Sequence, residues 1–350
     1  LKPFYDEKEW LALLPKTNQI HNFEIEAAKT LNTKYALAFP YGRSGIYTFL
    51  KAMNIEKAEI MMPAYTCVVI PNAVVMANNT PTFTDISLKD YNMDLTKLKL
   101  TNKTKAIIPT SLFGNPVNLD QLKRTKDVYT IQDSALGYLS TYKGKSVANQ
   151  GDIALYSLGI GKQLSTLQGG LVTTNNEEIY QKMKNYRNQN FKKAPLASIK
   201  KHIFFLAQAI ALNNSMYSLT YWLWKKKLIT AFTNYFKEDT IELPNNYNHL
   251  ITNLQAKLGL QQLKKLPEII QKRKTIANFY HSKLHNLNNL TDAPNIEGSS
   301  YSHYVPRIKN RDQFIETMAK KGIHVGHHFE YTIPDLKPYQ KYKKPVTQTQ

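Results

Sequence analysis

Short apolar runs bounded by glycine or polar turns alternate along this chain with stretches whose apolar residues recur every three or four positions. Residues 1–34 carry the second pattern, and helices are expected at Glu7 to Leu14 and Asn22 to Leu31. Next come a strand at Tyr35 to Phe39, the turn Gly42-Arg43-Ser44-Gly45 and an amphipathic helix from Ile46 to Met53. A strand at Ile60 to Met62 breaks at Pro63 and leads into another helix. A short strand ending in Asp85, a strand from Ala106 to Pro109, a helix in the run LDQLKRT and a strand delivering Asp133 follow. The alternation predicts an α/β fold, a mostly parallel sheet covered by helices on both faces. Ligands of such sheets sit at the carboxyl ends of the strands. Asp133, the loop after Pro63 and the loop Ser111 to Gly114 are therefore expected to converge.

The chain is organised around Gly151 to Thr174. There an apolar strand (Ile153 to Tyr156) runs into Ser157, a glycine-flanked Lys162, a polar turn, Gly169-Gly170 and a second apolar strand. A lysine between two buried strands reads either as an exposed hairpin residue or as a Schiff-base lysine kept reactive by partial desolvation. Residues 42–45 sit between a strand and a helix N-terminus, a geometry that offers backbone N–H groups and a helix dipole to a phosphate. The turn is not a Walker A loop and lacks GxGxxG spacing.

Residues 192–243 break the pattern with an apolar, aromatic, lysine-flanked stretch whose runs are too short to span a bilayer. A helical hairpin packed on the body or on another subunit is one reading; an interfacial hairpin on lipid headgroups is the other. The stretch after it is strongly helical, with a kink or a break between two helices at Pro267. From about residue 295 a small α/β unit is expected, with SHYVPRI and IHVGHHF as strands and RDQFIETMAKKG as a helix. His324, His327 and His328 cluster there; adjacent histidines on a strand face opposite sides, which favours site lining or simple solvation over a metal site.

Composition narrows the class. At 350 residues the chain is long enough for two subdomains. The single cysteine, Cys67, excludes an intrachain disulfide and fits a reducing compartment. No cleavable signal peptide is visible, and the first residue is not Met, which suggests a trimmed start. The net charge of +20 comes mostly from dispersed lysines, without zinc-finger spacing or an arginine cluster, so nucleic acid is not the expected partner.

With Lys162, Asp133 and the 42–45 turn in view, the chain resembles the DegT/StrS-type family of pyridoxal phosphate-dependent sugar aminotransferases. The likeness rests on Phe23-Glu24, Glu26 and Ala28, MPAYT at 62–66, PTSLFGNPVNLD at 109–120 and DSA at 133–135. It continues through GDIALYSLGIGK ending at Lys162, Gly169-Gly170 and PNNYN…QAKLGLQQL at 244–263. The resemblance implies a fold-type-I enzyme: a large cofactor-binding domain (1–250, with the 192–243 insertion) and linking helices with a small domain (251–350). It implies pyridoxal 5'-phosphate as cofactor and a cytoplasmic homodimer with shared sites. The expected substrates are glutamate and a nucleotide-linked keto-sugar. Lys162 corresponds to the Schiff-base lysine and proton carrier, and Asp133 to the carboxylate that pairs with the pyridinium nitrogen. Ser157, Arg43 and Ser44 correspond to phosphate-binding positions, and Asn246 to the asparagine sent to that phosphate by the neighbouring subunit.

Five departures accompany the likeness. Cys67 stands where the ring-stacking aromatic is usual, leaving stacking weaker or to another group such as Tyr65 nearby in sequence. Leu136 replaces a glutamine, Ser111 a histidine and Asn248 an arginine, and the small domain usually runs further than Val346 to Gln350. Retention of Lys162, which the family's dehydratases replace with histidine, favours transamination in surface-polysaccharide or amino-sugar synthesis. The rivals are a non-catalytic binding protein of the same fold and the same chemistry on a membrane-proximal carbonyl. The basic charge and the 192–243 stretch leave peripheral membrane contact open.

Overall fold

Seven strands join into one sheet in the computed structural model, which describes residues 4–6, 8–9, 17–122, 127–195, 219, 222–223, 226, 237–285, 287 and 290–343. The strands of this sheet are β1 (Tyr35–Phe39), β2 (Glu59–Pro63), β3 (Thr80–Thr84), β4 (Thr104–Ile107), β5 (Tyr129–Asp133), β8 (Ile153–Ser157) and β9 (Gly170–Thr174). Two-residue strands β6 (Thr141–Tyr142) and β7 (Lys145–Ser146) form a separate hairpin. The sheet order is β1-β9-β8-β5-β4-β2-β3, and only β9 runs against the others. The mostly parallel sheet expected from the sequence is therefore present. Because all strands but β9 share a direction, β1, β2, β4, β5 and β8 end on one edge, and β9 starts there.

Side chains alternate across the sheet as strand geometry requires. Leu37, Phe39, Ile153, Leu155 and Val172 enter one core, which also holds Ile46 and Phe49 of helix α2 (Gly42–Ala52), Ala73 and Val74 of α3 (Val69–Met76) and Ile179 and Met183 of α4 (Glu177–Asn190). Ala36, Ala38, Ala154, Tyr156 and Leu171 face the opposite core with Phe23 of α1 (Gln19–Thr30) and Leu263 and Leu266 of α5 (Asn253–Leu284). The alanines leave room for α1 and α5, which approach closely: a Cβ added at Gly259 would stand 2.4 Å from the Phe23 ring. Of the expected Glu24–Glu26 motif, Glu24 is structural. Its carboxylate accepts from Arg187 Nη1 at 2.5 Å and from the Ala38 N–H at 2.8 Å, fixing α1 and α4 to β1.

Several expectations need correction. Helix α2 starts at Gly42 rather than Ile46, so residues 42–45 form its first turn instead of a loop before it. Helix α5 runs through Pro267 as one element of 32 residues, started by a Thr252–Gln255 capping box. A break at proline is not obligatory where both flanks are held: Leu266, Ile269 and Ile270 are buried on the same body. The run LDQLKRT gives only a 3₁₀ turn at Leu119–Gln121, and residues 123–126 lie outside the described set. In the C-terminal unit, α6 (Arg311–Lys320) is present, but SHYVPRI contributes only β11 (Arg307–Ile308), paired with β10 (Leu290–Thr291). Residues 323–329 form no strand. Of the expected helix at Glu7 to Leu14 only Lys8 and Glu9 are described, and they are helical; its other residues, most of 192–243 and Val346 to Gln350 lie outside the described residues. Among the described residues no helix is long and apolar enough to cross a membrane.

Candidate active site

The site is built at the carboxyl edge of the sheet. Strand β5 ends in Asp133, which is 3% exposed. Its main chain is clamped to the segment 109–111 through both its N–H and its carbonyl, Asp133 N–H donating to Pro109 O and Ser111 N–H to Asp133 O, each at 2.8 Å. Its carboxylate accepts from the Ala135 N–H at 3.0 Å. Burial pushes this carboxyl above the usual range, while Ala135 and Lys162 pull it back.

Strand β8 ends in Ser157, whose carbonyl accepts from the buried Tyr138 hydroxyl at 3.0 Å. The loop beyond it holds Lys162 through a Lys162 N–H to Gly159 O bond of 3.0 Å. Lys162 is half-buried and not the exposed hairpin lysine of the first reading. Desolvation lowers its pKa, against the opposing pull of Cys67 and Asp133. A lysine so placed has a larger neutral fraction near pH 7 and is a better base and nucleophile. The same loop is anchored by Gln163, whose Nε2 donates to Ser300 O at 3.2 Å and Ser300 Oγ at 3.3 Å.

Strand β1 ends at the N-terminus of α2, where Tyr41 is the extended N-cap residue and no side chain caps the helix. Its dipole thus suits an anion, while the Ser44 N–H donates to Tyr41 O at 3.1 Å. Ser44 is fully buried and donates its hydroxyl to Tyr247 O at 2.7 Å. Arg43 is 6% exposed, its guanidinium 5.3 Å from the Tyr41 ring centre, and burial lowers its pKa. The Tyr41 hydroxyl donates to Asn246 Oδ1 at 2.8 Å, so Asn246 already stands beside this turn within its own chain. A Cβ at Gly170 would come within 2.3 Å of Gly42 N, so glycine there lets β9 pass under the turn.

Cys67, after β2, links the two halves. It is half-buried, its thiol pushed up by burial and within electrostatic reach of Lys162, Arg43 and Asp133. Tyr65, the suggested stacking substitute, joins an aromatic cluster. Its ring packs against Phe329 (centroids 5.4 Å apart) in a cluster with Leu112, Phe113 and Leu136. Leu136, in place of a glutamine, is thus part of an apolar wall.

The histidines divide. His327 pairs with Glu330 at 2.9 Å near the surface. His324 is exposed. His328 faces inward, within electrostatic reach of Lys162. His303, which sequence reasoning passed over, packs on it with ring centroids 4.9 Å apart. A lone histidine in a segment read only as the strand SHYVPRI carries no signal of its own; its place in the aromatic-rich run Tyr301-Ser302-His303-Tyr304 is the one that could have been used.

A desolvated lysine, a buried carboxylate and an uncapped helix start, brought together from three strand ends, fit pyridoxal phosphate in charge and in donor set. The sequence profile of the DegT/DnrJ/EryC1/StrS aminotransferase family matches residues 7–350. The chain belongs to this family. It is a pyridoxal phosphate-dependent aminotransferase of the α/β, fold-type-I class. GDP-perosamine synthase of Escherichia coli is 27% identical over 287 residues, covering 80% of this chain and 66% of that protein. UDP-4-amino-4,6-dideoxy-N-acetyl-beta-L-altrosamine transaminase of Campylobacter jejuni is 25% identical over 336 residues, covering 91% and 78%. Among solved structures, Helicobacter pylori PseC, an aminotransferase of pseudoaminic acid biosynthesis, superposes with a TM-score of 0.77 at 22% identity, covering 99% of this chain and 89% of that one. At that identity the likeness supports the fold.

Proposed function

We propose that this aminotransferase moves the amino group of glutamate onto the ketone carbon of a nucleotide-diphosphate-linked sugar, in surface-polysaccharide synthesis. The observation that carries the reading is Lys162, desolvated and within electrostatic reach of buried Asp133, at the sheet edge where α2 begins uncapped. The names of the curated relatives, which concern nucleotide-linked amino sugars, support the substrate class. When bound, the cofactor supplies a carbonyl to carry the amino group and a ring that accepts electrons. Lys162 holds it and moves the substrate's Cα proton, its lowered pKa suiting both tasks. Asp133 keeps the ring nitrogen protonated, and its clamped main chain fixes its position. The amides of Arg43 and Ser44, with Ser157 and Asn246, hold the phosphate, and Cys67 lies beside the ring.

Residues 1–250 act as the cofactor-binding part and 251–350 as the linking helix and small C-terminal part. The working unit is a cytoplasmic homodimer, with 192–243 available for peripheral membrane contact. The test is product analysis with L-glutamate and keto-sugar nucleotides. Formation of an amino-sugar nucleotide and 2-oxoglutarate in equal amounts is expected. Glutamate turnover only with non-sugar carbonyl acceptors would contradict the substrate class.

A further inference from the structure

One wall of the site comes from outside the main sheet. It is formed by the segment 298–303 and by His328 and Phe329. Phe113 stands between them: its ring meets His328 edge-on at 5.1 Å and His303 at 6.0 Å. Phe113 adopts a left-handed backbone (φ 59), a conformation that costs a bulky L-residue about 1 kcal/mol or more and tends to persist at functional sites. Gly114 (φ 95) follows, and a Cβ there would lie 2.7 Å from Ser300 Oγ, so the loop and the 298–303 segment are in close contact.

We propose that His303 and His328 form the hydroxyl-reading element of this site, specificity-determining residues that exchange hydrogen bonds with a ring hydroxyl of the sugar acceptor. The inference rests on the sugar reading above. His328 is within electrostatic reach of Lys162, which places the pair beside the reacting end of the site. Burial, aided by the Lys162 charge, brings His328 down to about 4. Burial, then His328, Lys162 and Arg273, bring His303 down to about 3. Both rings are therefore neutral at physiological pH, and a neutral imidazole offers one donor and one acceptor. A hydroxyl has the same two-sided character. A carboxylate accepts only, so the pair suits the sugar rather than the amino acid donor.

The rings are also held in place. His303 Nδ1 is hydrogen-bonded to Ser302 Oγ at 3.1 Å, and Arg273 Nη1 donates to Ser302 O at 2.8 Å. His328 is flanked by Phe329, ring centroids 4.3 Å apart. Ser111, where the family commonly carries a histidine, is fully buried with its hydroxyl accepting from Gln132 Nε2 at 2.9 Å. No imidazole comes from that position. Two come from His303 and His328, which pack on Phe113 of the same loop.

The test separates the two half-reactions of the holoenzyme by absorbance. Glutamate bleaches the visible band of the lysine-bound cofactor, and a keto-sugar nucleotide restores it. GDP-4-keto-6-deoxymannose and its UDP-linked counterpart serve as probes. His303→Ala and His328→Ala should slow restoration at low sugar concentration about tenfold, the worth of one hydrogen bond to a neutral partner. Bleaching by glutamate should stay within about twofold of wild type. Glutamine, which also offers a donor and an acceptor, should recover part of the loss at each position. Restoration at the wild-type rate in the alanine variants would overturn the inference, as would equal losses in both half-reactions. A wild type bleached by glutamate but restored by neither sugar would instead overturn the sugar reading, and the inference with it.

Discussion

Lys162, Asp133 and the two histidines all depart from their ordinary titration for one dominant reason, loss of water. For the histidines this has a measurable consequence. Unfolded, they bind protons near pH 6.5; folded, only near 4 and 3. As pH falls through 6.5 the unfolded state takes up protons that the folded state refuses, so stability declines toward acid. Denaturant midpoints should show the wild type losing on the order of 5 kcal/mol between pH 6.5 and 4 from these two groups together. The double variant His303→Gln/His328→Gln should decline less steeply over that window. Parallel curves would mean that the imidazoles are not held neutral. At this scale the lysine and the carboxylate were legible in the sequence, because Asp133 ends a strand and Lys162 follows an apolar one in a glycine-bounded loop. His303 was not. Its importance comes from Phe113 and His328, residues 190 and 25 positions away.

The central element is the first turn of α2, lying over the start of β9. Its glycines read from sequence as a loop before a helix, whereas the structure makes them the helix itself. Local composition does not distinguish these, since glycine favours both a turn and a crowded helix start. The crowding decides: a Cβ at Gly45 would meet Val172 at 2.5 Å, and one at Gly170 would meet backbone of Tyr41 and Gly42 at 2.3–2.5 Å. Gly170→Ala must push that turn away from β9. Loss of about 1–3 kcal/mol in stability is expected, together with weaker cofactor affinity, because the displaced amides are those assigned to the phosphate. Chemical denaturation and a cofactor titration would check both. An alanine variant with wild-type affinity would detach the turn from cofactor binding. The weakly read elements are those with the least local signal. Strands β10 and β11 have two residues each, and the 323–329 run has strand-like composition but no partner strand among the described residues.

Across the whole molecule, function follows from strand direction. Five parallel strand ends on one edge gather residues 41–44, 67, 110–114, 133 and 157–162, which are spread over 120 positions of sequence. The alternating pattern predicted the meeting of Asp133, the loop after Pro63 and Ser111 to Gly114, because parallel connections return each strand to the same edge. The family resemblance added the 42–45 turn and the Lys162 loop. The irregular wall from 298–303 and 328–329 was not predictable this way, since it joins the site from outside the sheet. The central proposal is that Lys162 holds pyridoxal phosphate, the cofactor that would take up the amino group of glutamate. Its most direct test is the visible absorption spectrum of the protein with pyridoxal phosphate, before and after L-glutamate. Wild type should gain a visible band and lose it when glutamate is added, and Lys162→Ala should gain none. A wild-type protein that stays colourless with the cofactor, or a Lys162→Ala variant that behaves like wild type, would contradict the account.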